Sequence, residues 1–444
     1  MEPIAYLAME IKQRELDSRL LIAANLVKAG LPVVLGQQWS LFKNAAALPP
    51  GLVLFKTVNN IQASNMRNFR AQGHLVAATD EEVLVCFEDA CFFEVFSNVA
   101  AENCDRFFAQ SDVHKTAIEA RFPNLRGKTE VVGNSRIDFL SVRGRASFSA
   151  EANELRQKHG KYILFNTNYG QINSIWNDIK HVVAIAAKAG LVNADDPRSV
   201  AEYREKLEWE QRNMAEIVQL LRWAIANLSG YKIVIRPHPG ERMQFWQDKF
   251  GTFDNVLIVP RSNPHPWLLG AELVVHTACT TGLESALLGK PTVNLTPLPH
   301  PAFDFITNWV NPTFKSAQDA AVAIAAFLGE YRGPLVEERA KYTAALDAHF
   351  PNHAEGISSQ RIAESMLALL KSHGAAPTPT PNYKLRVRAP GFNPMERSDT
   401  LKDKFTVSAE EIIAGVKRVT SVMGLSLRAN IAVLDDSLFL LTPN

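Results

Sequence analysis

One segment predicts the architecture of this protein: Lys232-Ile233-Val234-Ile235-Arg236-Pro237-His238-Pro239. Its first half is a short apolar, β-branched run, which is typical of a strand buried on both faces of a parallel sheet. Its second half changes to a cation, an imidazole and two prolines, which end the strand. Open α/β sheets bind their ligands outside the carboxyl ends of their strands. The segment therefore predicts an α/β fold with a polar site at a strand end.

A second segment repeats the pattern further along the chain. The apolar run Ala271-Glu272-Leu273-Val274-Val275 is followed by His276-Thr277-Ala278-Cys279-Thr280-Thr281-Gly282-Leu283-Glu284-Ser285, and Lys290-Pro291 ends the helix predicted over 282–289. A helix N-terminus offers unpaired N–H groups and a favourable dipole to an anion. Arginine and histidine nearby supply charge-assisted donors. Together the two segments predict a phosphate or diphosphate site, most simply that of a nucleotide.

The candidate ligand-binding residues lie at these strand ends or on the turns that follow them. They are Arg236, His238, Glu241, His276, Thr277, Thr280, Thr281 and Glu284. Taken alone, the Arg-Pro-His-Pro run also fits a loop with a solvated arginine, and the threonine-rich turn also fits a plain N-cap. Two such elements at consecutive strand ends, each with a histidine, favour a site. His265 lies between two prolines, and we interpret it as structural or peripheral.

Composition limits the class of protein. A chain of 444 residues with 47% apolar content divides most easily into two domains and an appendage. The net charge of +1 gives no argument for nucleic-acid binding. The chain has no apolar run of membrane-spanning length and no signal peptide, and its four cysteines suit neither a metal site nor a disulfide framework. We expect a cytoplasmic protein, with any contact to the inner membrane being peripheral.

Alternating strand and helix signals predict two doubly wound domains. We expect an N-terminal Rossmann-like domain over 1–145 and a second one over 146–373. The Pro- and Thr-rich residues 374–383 indicate a linker, and 384–444 form a small α+β module. In that module, Ser408 and Glu411 predict a capping box for a helix that ends near Val422, and 430–441 predict a pair of strands.

Charged clusters follow three strands of the first half. They are 10–16, the acidic run Asp80-Glu81-Glu82, and Gly133-Asn134-Ser135-Arg136-Ile137-Asp138. Adjacent acids are commonly a solvated surface, but here they occupy loops at strand ends, and neighbouring carboxylates raise one another's pKa. The candidate catalytic residues are Asp80, Glu81, Glu82 and Asp138. The candidate acceptor or cleft residues are Glu10, Lys12, Arg14, Glu15, Asn134 and Arg136.

At these clusters the sequence resembles a bacterial surface-carbohydrate biosynthesis family with the GT-B fold, related to the transferases that add Kdo to capsule and lipopolysaccharide. The resemblance rests on the order of the motifs above, together with Asn166-Thr167-Asn168-Tyr169-Gly170 after a strand, and it spans about residues 1 to 370. Val83 stands where the acidic motif usually has glycine, and Ser135 where proline is common. The tail after Gly374 lies outside the resemblance.

The resemblance implies two Rossmann-like domains that face a cleft, with the acceptor held mainly by the first and a nucleotide sugar mainly by the second. It adds Asn166 and Asn168 to the donor site. Bacterial sialyltransferases pair a His-Pro motif that contacts the donor phosphate with a short acidic catalytic motif, as His238-Pro239 and Asp80-Glu81-Glu82 do here. By this analogy a CMP-linked, Kdo-like donor is favoured, with a glycan or lipid-linked glycan as acceptor.

Three alternatives remain: a CDP-polyol phosphotransferase, a sugar-nucleotide epimerase, and a catalytically inactive nucleotide-binding partner, which Val83 favours. No Asp-x-Asp motif follows a strand, so we expect no required metal or further cofactor. The C-terminal module would recruit a membrane surface or a protein partner.

Overall fold

The computed structural model of the chain describes residues 3–80, 96–175, 179–188, 192–259, 262–298, 306–329, 335, 339–374 and 406–444. The described residues form two compact units. The first domain comprises those within Met1–Val83, Phe92–Ser147 and Asp347–Asn444, and the second domain is formed by those within Phe148–Leu346.

The secondary-structure elements alternate as a doubly wound fold requires. In chain order they begin with β1 Ala5–Met9, α1 Lys12–Lys28, β2 Val33–Gln37, α2 Gln38–Lys43, β3 Leu52–Phe55, α3 Asn60–Ala71, β4 Leu75–Ala78, α4 Asn98–Glu102, β5 Arg106–Ala109, α5 Asp112–Arg121 and β6 Thr129–Val131. They continue with α6 Ser149–His159, β7 Tyr162–Asn166, α7 Ile179–Lys188, α8 Pro197–Asn227, β8 Lys232–Arg236, α9 Met243–Phe250, β9 Val256–Ile258, α10 Pro264–Gly270, β10 Leu273–His276, α11 Thr280–Leu287, β11 Thr292–Leu295, β12 Thr313–Phe314 and α12 Ala317–Leu328. The last elements are α13 Arg339–His349, α14 Ser358–Ser372, α15 Ala409–Val422, β13 Ala429–Asp435 and β14 Leu438–Pro443.

The first domain is built on an eight-stranded sheet with the order β13-β14-β2-β1-β3-β4-β5-β6. The six strands from β1 to β6 are parallel. One face of the sheet places Tyr6, Val53 and Phe55 in an apolar core with Phe69 of α3. Because β1 pairs with both β2 and β3, the strand order reverses beside β1, and the carboxyl end of β1 lies at this switch point.

The second domain is built on a six-stranded, wholly parallel sheet with the order β12-β11-β10-β7-β8-β9. Phe165, Ile235 and Val275 form one buried face of this sheet, against which Ile217 and Leu221 of α8 pack. The strand order reverses between β7 and β10, so a ligand site is expected at the carboxyl ends of these two strands. The prediction of two doubly wound, Rossmann-like domains is confirmed.

The described C-terminal residues belong to the first domain, whereas the sequence predicted a separate module over 384–444. The predicted capping box is present, with Ser408 accepting from the backbone N–H of Glu411 at 3.2 Å, and it begins a helix that ends at Val422. However, the hairpin β13–β14 does not form a separate sheet, because β14 pairs antiparallel with β2. The described residues beyond Asp347 therefore belong to the first domain. The expected linker, 374–383, lies outside the described residues apart from Gly374.

The reason for this difference is apolar burial. Leu438, Phe439 and Leu441 of β14 are at most 2% exposed, and a hairpin with one helix is too small to bury them by itself. Gly36 of β2 permits the docking, since a Cβ at this position would lie 2.5 Å from the carbonyl oxygen of Ser437.

In the described part of the chain, no helix combines the length and apolar character that a membrane crossing requires.

Candidate functional site

Four polar residues form a row across the carboxyl edge of the second sheet. Asn166 of β7 is in register with Arg236 of β8 and with His276 of β10, and His276 is in register with Asn294 of β11. Side chains in register on parallel strands point to the same face of a sheet. All four are buried, and the residue before each of them in its strand is apolar. The row therefore lies where the apolar sheet ends and the polar loops begin.

A cavity of about 380 Å³ lies beside this row, within the second domain. The loops that follow β7, β8, β10 and β11 form most of its wall, and α8 forms the rest. The described lining residues are Asn168, Tyr169, Gly170, Gln171, Trp209, Glu210, Asn213, His238, Gly240, Thr277, Ala278, Leu295 and Thr296. Of the residues predicted for donor binding, the cavity wall thus brings together Asn168, His238 and Thr277.

His238 is the exposed member of the predicted phosphate site. Its Nδ1 accepts a hydrogen bond from the backbone N–H of Gly240 at 3.0 Å. Because Nδ1 is an acceptor, the ring proton is on Nε2, which is then the donor atom of the ring. In the described part of the cavity wall, His238 is the only residue with a basic side chain.

Glu241 supports the His238 loop from beneath. Its carboxylate accepts hydrogen bonds from Thr167 Oγ1 at 2.6 Å, from the His238 backbone N–H at 2.9 Å and from Trp246 Nε1 at 3.0 Å. Burial raises the pKa of Glu241, and these hydrogen bonds oppose the shift. The carboxylate is 1% exposed and does not line the cavity. Glu241 is therefore a positioning residue that holds the backbone of His238.

His276 lies under the first turn of α11 rather than in the cavity wall. It is fully buried, and burial lowers its pKa to about 3, so the imidazole is neutral at physiological pH. The turn above it is unusual because Ala278 has a φ of 45°, a left-handed conformation that non-glycine residues rarely adopt. The Ala278 backbone N–H donates to Asn294 Oδ1 at 3.0 Å, which holds this conformation. Thr277 and Ala278 thereby face the cavity.

In the remainder of the α11 motif, Thr281 and Glu284 contact other side chains. Thr281 Oγ1 lies 2.6 Å from Cys279 Sγ, and Glu284 Oε1 lies 3.9 Å from His265 Nε2. Thr280 is half-buried at the start of the helix. None of the three motif residues is among the described residues of the cavity wall. His265, interpreted above as peripheral, is a neighbour of Glu284.

Three members of the row carry polar atoms that make no hydrogen bond within the described residues. They are both amide atoms of Asn166, Nε of Arg236 and Nδ1 of His276. Arg236 Nη2 donates to the carbonyl of Ser262. Burial lowers the pKa of Arg236, while the carboxylate of Glu284 opposes this shift. An unsatisfied buried polar group costs about 1–3 kcal/mol. A ligand whose polar group formed hydrogen bonds with these atoms would remove that cost, so the row is suited to binding such a ligand.

Three residues of α8 that line the cavity were not predicted from the sequence: Trp209, Glu210 and Asn213. Glu210 Oε2 accepts from the backbone N–H of Ile172 at 2.9 Å. Burial raises the pKa of Glu210 to about 8, and the charge of Glu241 adds to the shift. Trp209 Nε1 donates to the carbonyl of Leu298 at 2.6 Å.

A sequence signal for Glu210 did exist. The buried stripe of α8 includes Tyr203, Leu207, Met214, Ile217 and Leu221, with a gap of seven residues between Leu207 and Met214 and intervals of three or four elsewhere. Glu210 falls in that stripe, where a carboxylate is out of place unless it has a polar partner.

In the first domain, acidic and basic groups gather at the carboxyl ends of β1, β3 and β4. Asp80 is 4% exposed and accepts from Thr57 Oγ1 at 3.3 Å. Lys56, which was not predicted, forms an ion pair with Glu10 and lies 3.9 Å from Glu15. Glu81 and Glu82, the other members of the predicted catalytic run, lie outside the described residues, as does Val83.

Other predicted acceptor residues lie on α1 and pack within the first domain. Glu15 accepts from the Glu10 backbone N–H at 2.7 Å and so closes the first turn of α1. Lys12 Nζ lies 2.8 Å from Glu411 Oε1 of α15. Arg14 is half-buried on α1.

Asp138 is a helix anchor in this structure. It is 1% exposed, and its carboxylate accepts from the backbone N–H groups of Ser358 at 2.9 Å and Ser359 at 2.7 Å, and from the Ser359 hydroxyl. These groups lie at the N-terminus of α14, where N–H donors have no partner within the helix. Nearby, Asn134 Oδ1 accepts from the Arg136 backbone N–H at 3.0 Å, which shapes the preceding turn. We therefore interpret Asp138 as structural.

No group of three or more potential metal-ligating side chains occurs within the described residues. No protein-family model matches the sequence, and no curated protein matches it.

Solved structures do share the fold. MnaA of S. aureus, solved with UDP, is 13% identical, with a TM-score of 0.52, covering 86% of this chain and 100% of that chain. The UDP-GlcNAc 2-epimerase of Neisseria meningitidis, bound to UDP-GlcNAc, is 13% identical with a TM-score of 0.47, covering 83% and 100% of the two chains. The wall teichoic acid polymerase TagF is 11% identical with a TM-score of 0.49, covering 84% and 90%. The protein has a GT-B type fold. At these identities the likeness concerns the fold alone.

Proposed function

We propose that this protein is a nucleotide-sugar-dependent glycosyltransferase whose second domain binds the donor in the cavity beside β7 and β10. The observation that carries the proposal is the position of His238. It lies in the cavity wall, on the loop after β8, and the turn that begins α11 lines the same cavity. An imidazole donor and a helix N-terminus in one cavity suit a phosphate group, and the switch point of an α/β sheet is where nucleotides bind.

The rest of the cavity wall suits the uncharged parts of such a donor. Asn168 and Thr277 offer amide and hydroxyl groups, and Trp209 offers an indole. Sugars and bases are recognised by hydrogen bonds of this kind together with apolar contact. A wall with one imidazole and no described Lys or Arg suits one phosphate better than two. This supports a CMP-linked donor, as the resemblance to CMP-dependent transferases implies.

The acceptor and the catalytic carboxylate are proposed for the first domain. We assign the catalytic role to the run Asp80-Glu81-Glu82, of which Asp80 lies at the carboxyl end of β4. Glu10, with Lys56 and Glu15, lies at the end of the neighbouring strands and is proposed to bind the acceptor. The order of the motifs supports a Kdo-like sugar and an acceptor that is a bacterial surface polysaccharide or a lipid-linked glycan, used on the cytoplasmic side of the inner membrane.

Calorimetry with CMP, CDP and UDP tests the donor site. We expect CMP to bind, and His238→Ala to weaken its binding by about 1.5–3 kcal/mol, the usual loss for a hydrogen bond to a charged group. His373→Ala is the matched control because His373 is exposed at the end of α14, in the first domain. Failure of all three nucleotides to bind, or equal binding by both variants, contradicts the proposed site.

A sugar-nucleotide epimerase is the second candidate, and MnaA, which shares the fold of this chain, was solved with UDP. The two reactions differ in their products. A transferase releases the nucleotide and extends an acceptor, whereas an epimerase returns a nucleotide sugar with altered stereochemistry. Chromatography of a UDP-sugar or CMP-sugar after incubation without acceptor distinguishes them. A new nucleotide-sugar isomer would establish the epimerase instead.

A further inference from the structure

Among the described residues of the cavity wall, Glu210 is the acidic side chain, and the others offer neutral groups and one imidazole. It is 8% exposed, and it lies on the buried stripe of α8. A carboxylate in such a stripe needs a polar partner. Its partners within the protein are the backbone N–H groups of Ile172, at 2.9 Å, and of Gln171. The cavity that Glu210 also lines is the other direction in which its carboxyl group can interact.

The segment between β7 and α7 is held by two buried carboxylates. Glu241 binds its start through Thr167 Oγ1 at 2.6 Å and also lies 3.3 Å from Asn173 Nδ2. Glu210 binds the middle of the segment through Ile172. Glu241 does not line the cavity, whereas Glu210 does. Both acids therefore bind the segment after β7, but of the two only Glu210 also lines the cavity and can contact a ligand there.

We propose that Glu210 is a specificity-determining residue of the donor cavity, which donates a hydrogen bond from its carboxyl group to an acceptor oxygen in the nucleotide part of the bound nucleotide sugar. This inference rests on the proposed donor site. In this arrangement the carboxyl group accepts from the backbone N–H groups of Ile172 and Gln171, and its hydroxyl donates to the ligand. A site that presents a buried donor rejects ligands without a matching acceptor, because the donor is then left unpaired.

The ionisation of Glu210 is consistent with this role. Burial raises its pKa to about 8, so the carboxyl group carries its proton at neutral pH. The titratable groups that affect it or share its cavity wall are Glu241, Tyr169, Tyr203 and His238. Burial raises the pKa of both tyrosines above its usual value of 10, so they stay neutral below pH 9.5.

The test compares nucleotide affinity in wild-type protein, Glu210→Gln, Glu210→Ala and Glu208→Gln between pH 7.5 and 9.5. The ligands are CMP, CDP and UDP, and the measurement is calorimetry. Glutamine keeps an acceptor for Ile172 and a donor for the ligand but does not titrate. Glu208 lies on the same helix and is exposed, so its amide variant is the matched control. This range lies above the second ionisation of a phosphate group, near pH 6.

If Glu210 donates to the ligand, the affinity of wild-type protein and of Glu208→Gln falls by about tenfold or more across this range, as the acid with a pKa near 8 ionises. Glu210→Gln should match wild-type affinity at pH 7.5 and keep it at pH 9.5, whereas Glu210→Ala should bind weakly throughout. Titration of Glu241 would appear equally in wild type and in the glutamine variant, so their difference isolates Glu210.

Two results overturn the inference. One is the same pH profile in wild type and Glu210→Gln. The other is a glutamine variant that binds as weakly as the alanine variant at pH 7.5. In both cases nucleotide binding by the wild type would leave the proposed function standing. Failure of the wild type to bind any of the three nucleotides would instead remove the proposed function, and the inference with it.

Discussion

Gly282 of α11 lies directly against the imidazole of His276, since a Cβ at position 282 would be 2.2 Å from Cε1. The contact lets the N-terminal turn of α11 lie on the carboxyl edge of the sheet, and so places Thr277 and Ala278 in the cavity wall. Glycine is therefore required here by close approach, in the middle of a helix where alanine is normally preferred.

We predict that Gly282→Ala destabilises the protein. Alanine would gain up to about 1 kcal/mol of helix propensity, but forcing a methyl group into a packed core costs about 1–3 kcal/mol. Urea denaturation measures the balance. Gly170→Ala is a suitable control because its nearest atoms to a new Cβ are 3.6 Å away. Combining Gly282→Ala with His276→Ala should recover part of the loss, and strictly additive effects would contradict a direct contact.

The stability of the protein should depend on the ionisation of Glu210. Its pKa is raised from 4.5 to about 8 by burial. Its contribution to folding is therefore fully present below pH 4.5 and is lost as the pH rises through 8. Glu210→Gln does not titrate, so its free energy of unfolding should rise relative to wild type by at most about 1.4 kcal/mol per pH unit in this window. Denaturation at several pH values checks this, and a constant difference contradicts it.

Asp138 should matter for stability and not for chemistry. Its carboxylate accepts from Ser358 and Ser359 at the start of α14. Asp138→Asn presents an N–H to donors and should lower the free energy of unfolding by about 1–3 kcal/mol. Turnover per folded molecule should not change. The exposed Asp347→Asn serves as the control. Loss of turnover with unchanged stability would restore Asp138 as a catalytic candidate.

The acidic run Asp80-Glu81-Glu82 after β4 should, in contrast to Asp138, matter for turnover. Among Asp80→Asn, Glu81→Gln and Glu82→Gln, at least one should abolish sugar transfer while donor affinity is nearly unchanged, because a catalytic base acts in the transition state. Parallel measurement of turnover and of donor binding separates the two effects. Full activity in all three variants would move the catalytic carboxylate elsewhere, for example to Glu10 or Glu15.

Removal of the chain after Gly374 should disrupt the first domain. The deletion takes away β14, which pairs with β2, and α15, whose Gly415 lies against Leu20 of α1. We expect an insoluble protein, because the apolar edge beside β2 would be exposed. Gly36→Ala tests the same docking without a deletion, since its Cβ would meet Ser437. A soluble truncated protein that melts like the full chain would show that the hairpin is dispensable.

Much of the fold could be predicted from local patterns. The β-branched runs that became β8 and β10 were recognisable because a strand buried on both faces must be apolar along its length. The capping box at Ser408 was recognisable because its hydrogen bonds join residues three apart in the chain. His238 was found for a related reason, since a polar side chain directly after a buried strand lies at the ligand-binding edge of the sheet.

The partners of these elements could not be predicted in the same way. Asp138 was predicted as a catalytic acid because its own motif is polar. Its carboxylate accepts hydrogen bonds from Ser358 and Ser359, and these residues lie some 220 residues further along the chain. The C-terminal hairpin looked like an appendage because a linker composition precedes it, yet its apolar face is buried against β2. Periodicity shows that a face is apolar and does not show what covers it.

The sequence by itself determined the two doubly wound domains and the strand ends that carry their polar groups, because backbone hydrogen bonding and apolar burial act over a few residues at a time. Only the tertiary structure decided which of those polar groups lie in one cavity. In the folded protein His276 and Glu241 are buried outside the cavity wall, whereas His238 and Glu210 of α8 both line the cavity. The physical reason is that burial and pKa depend on every element packed around a side chain, and those elements are distant in the sequence.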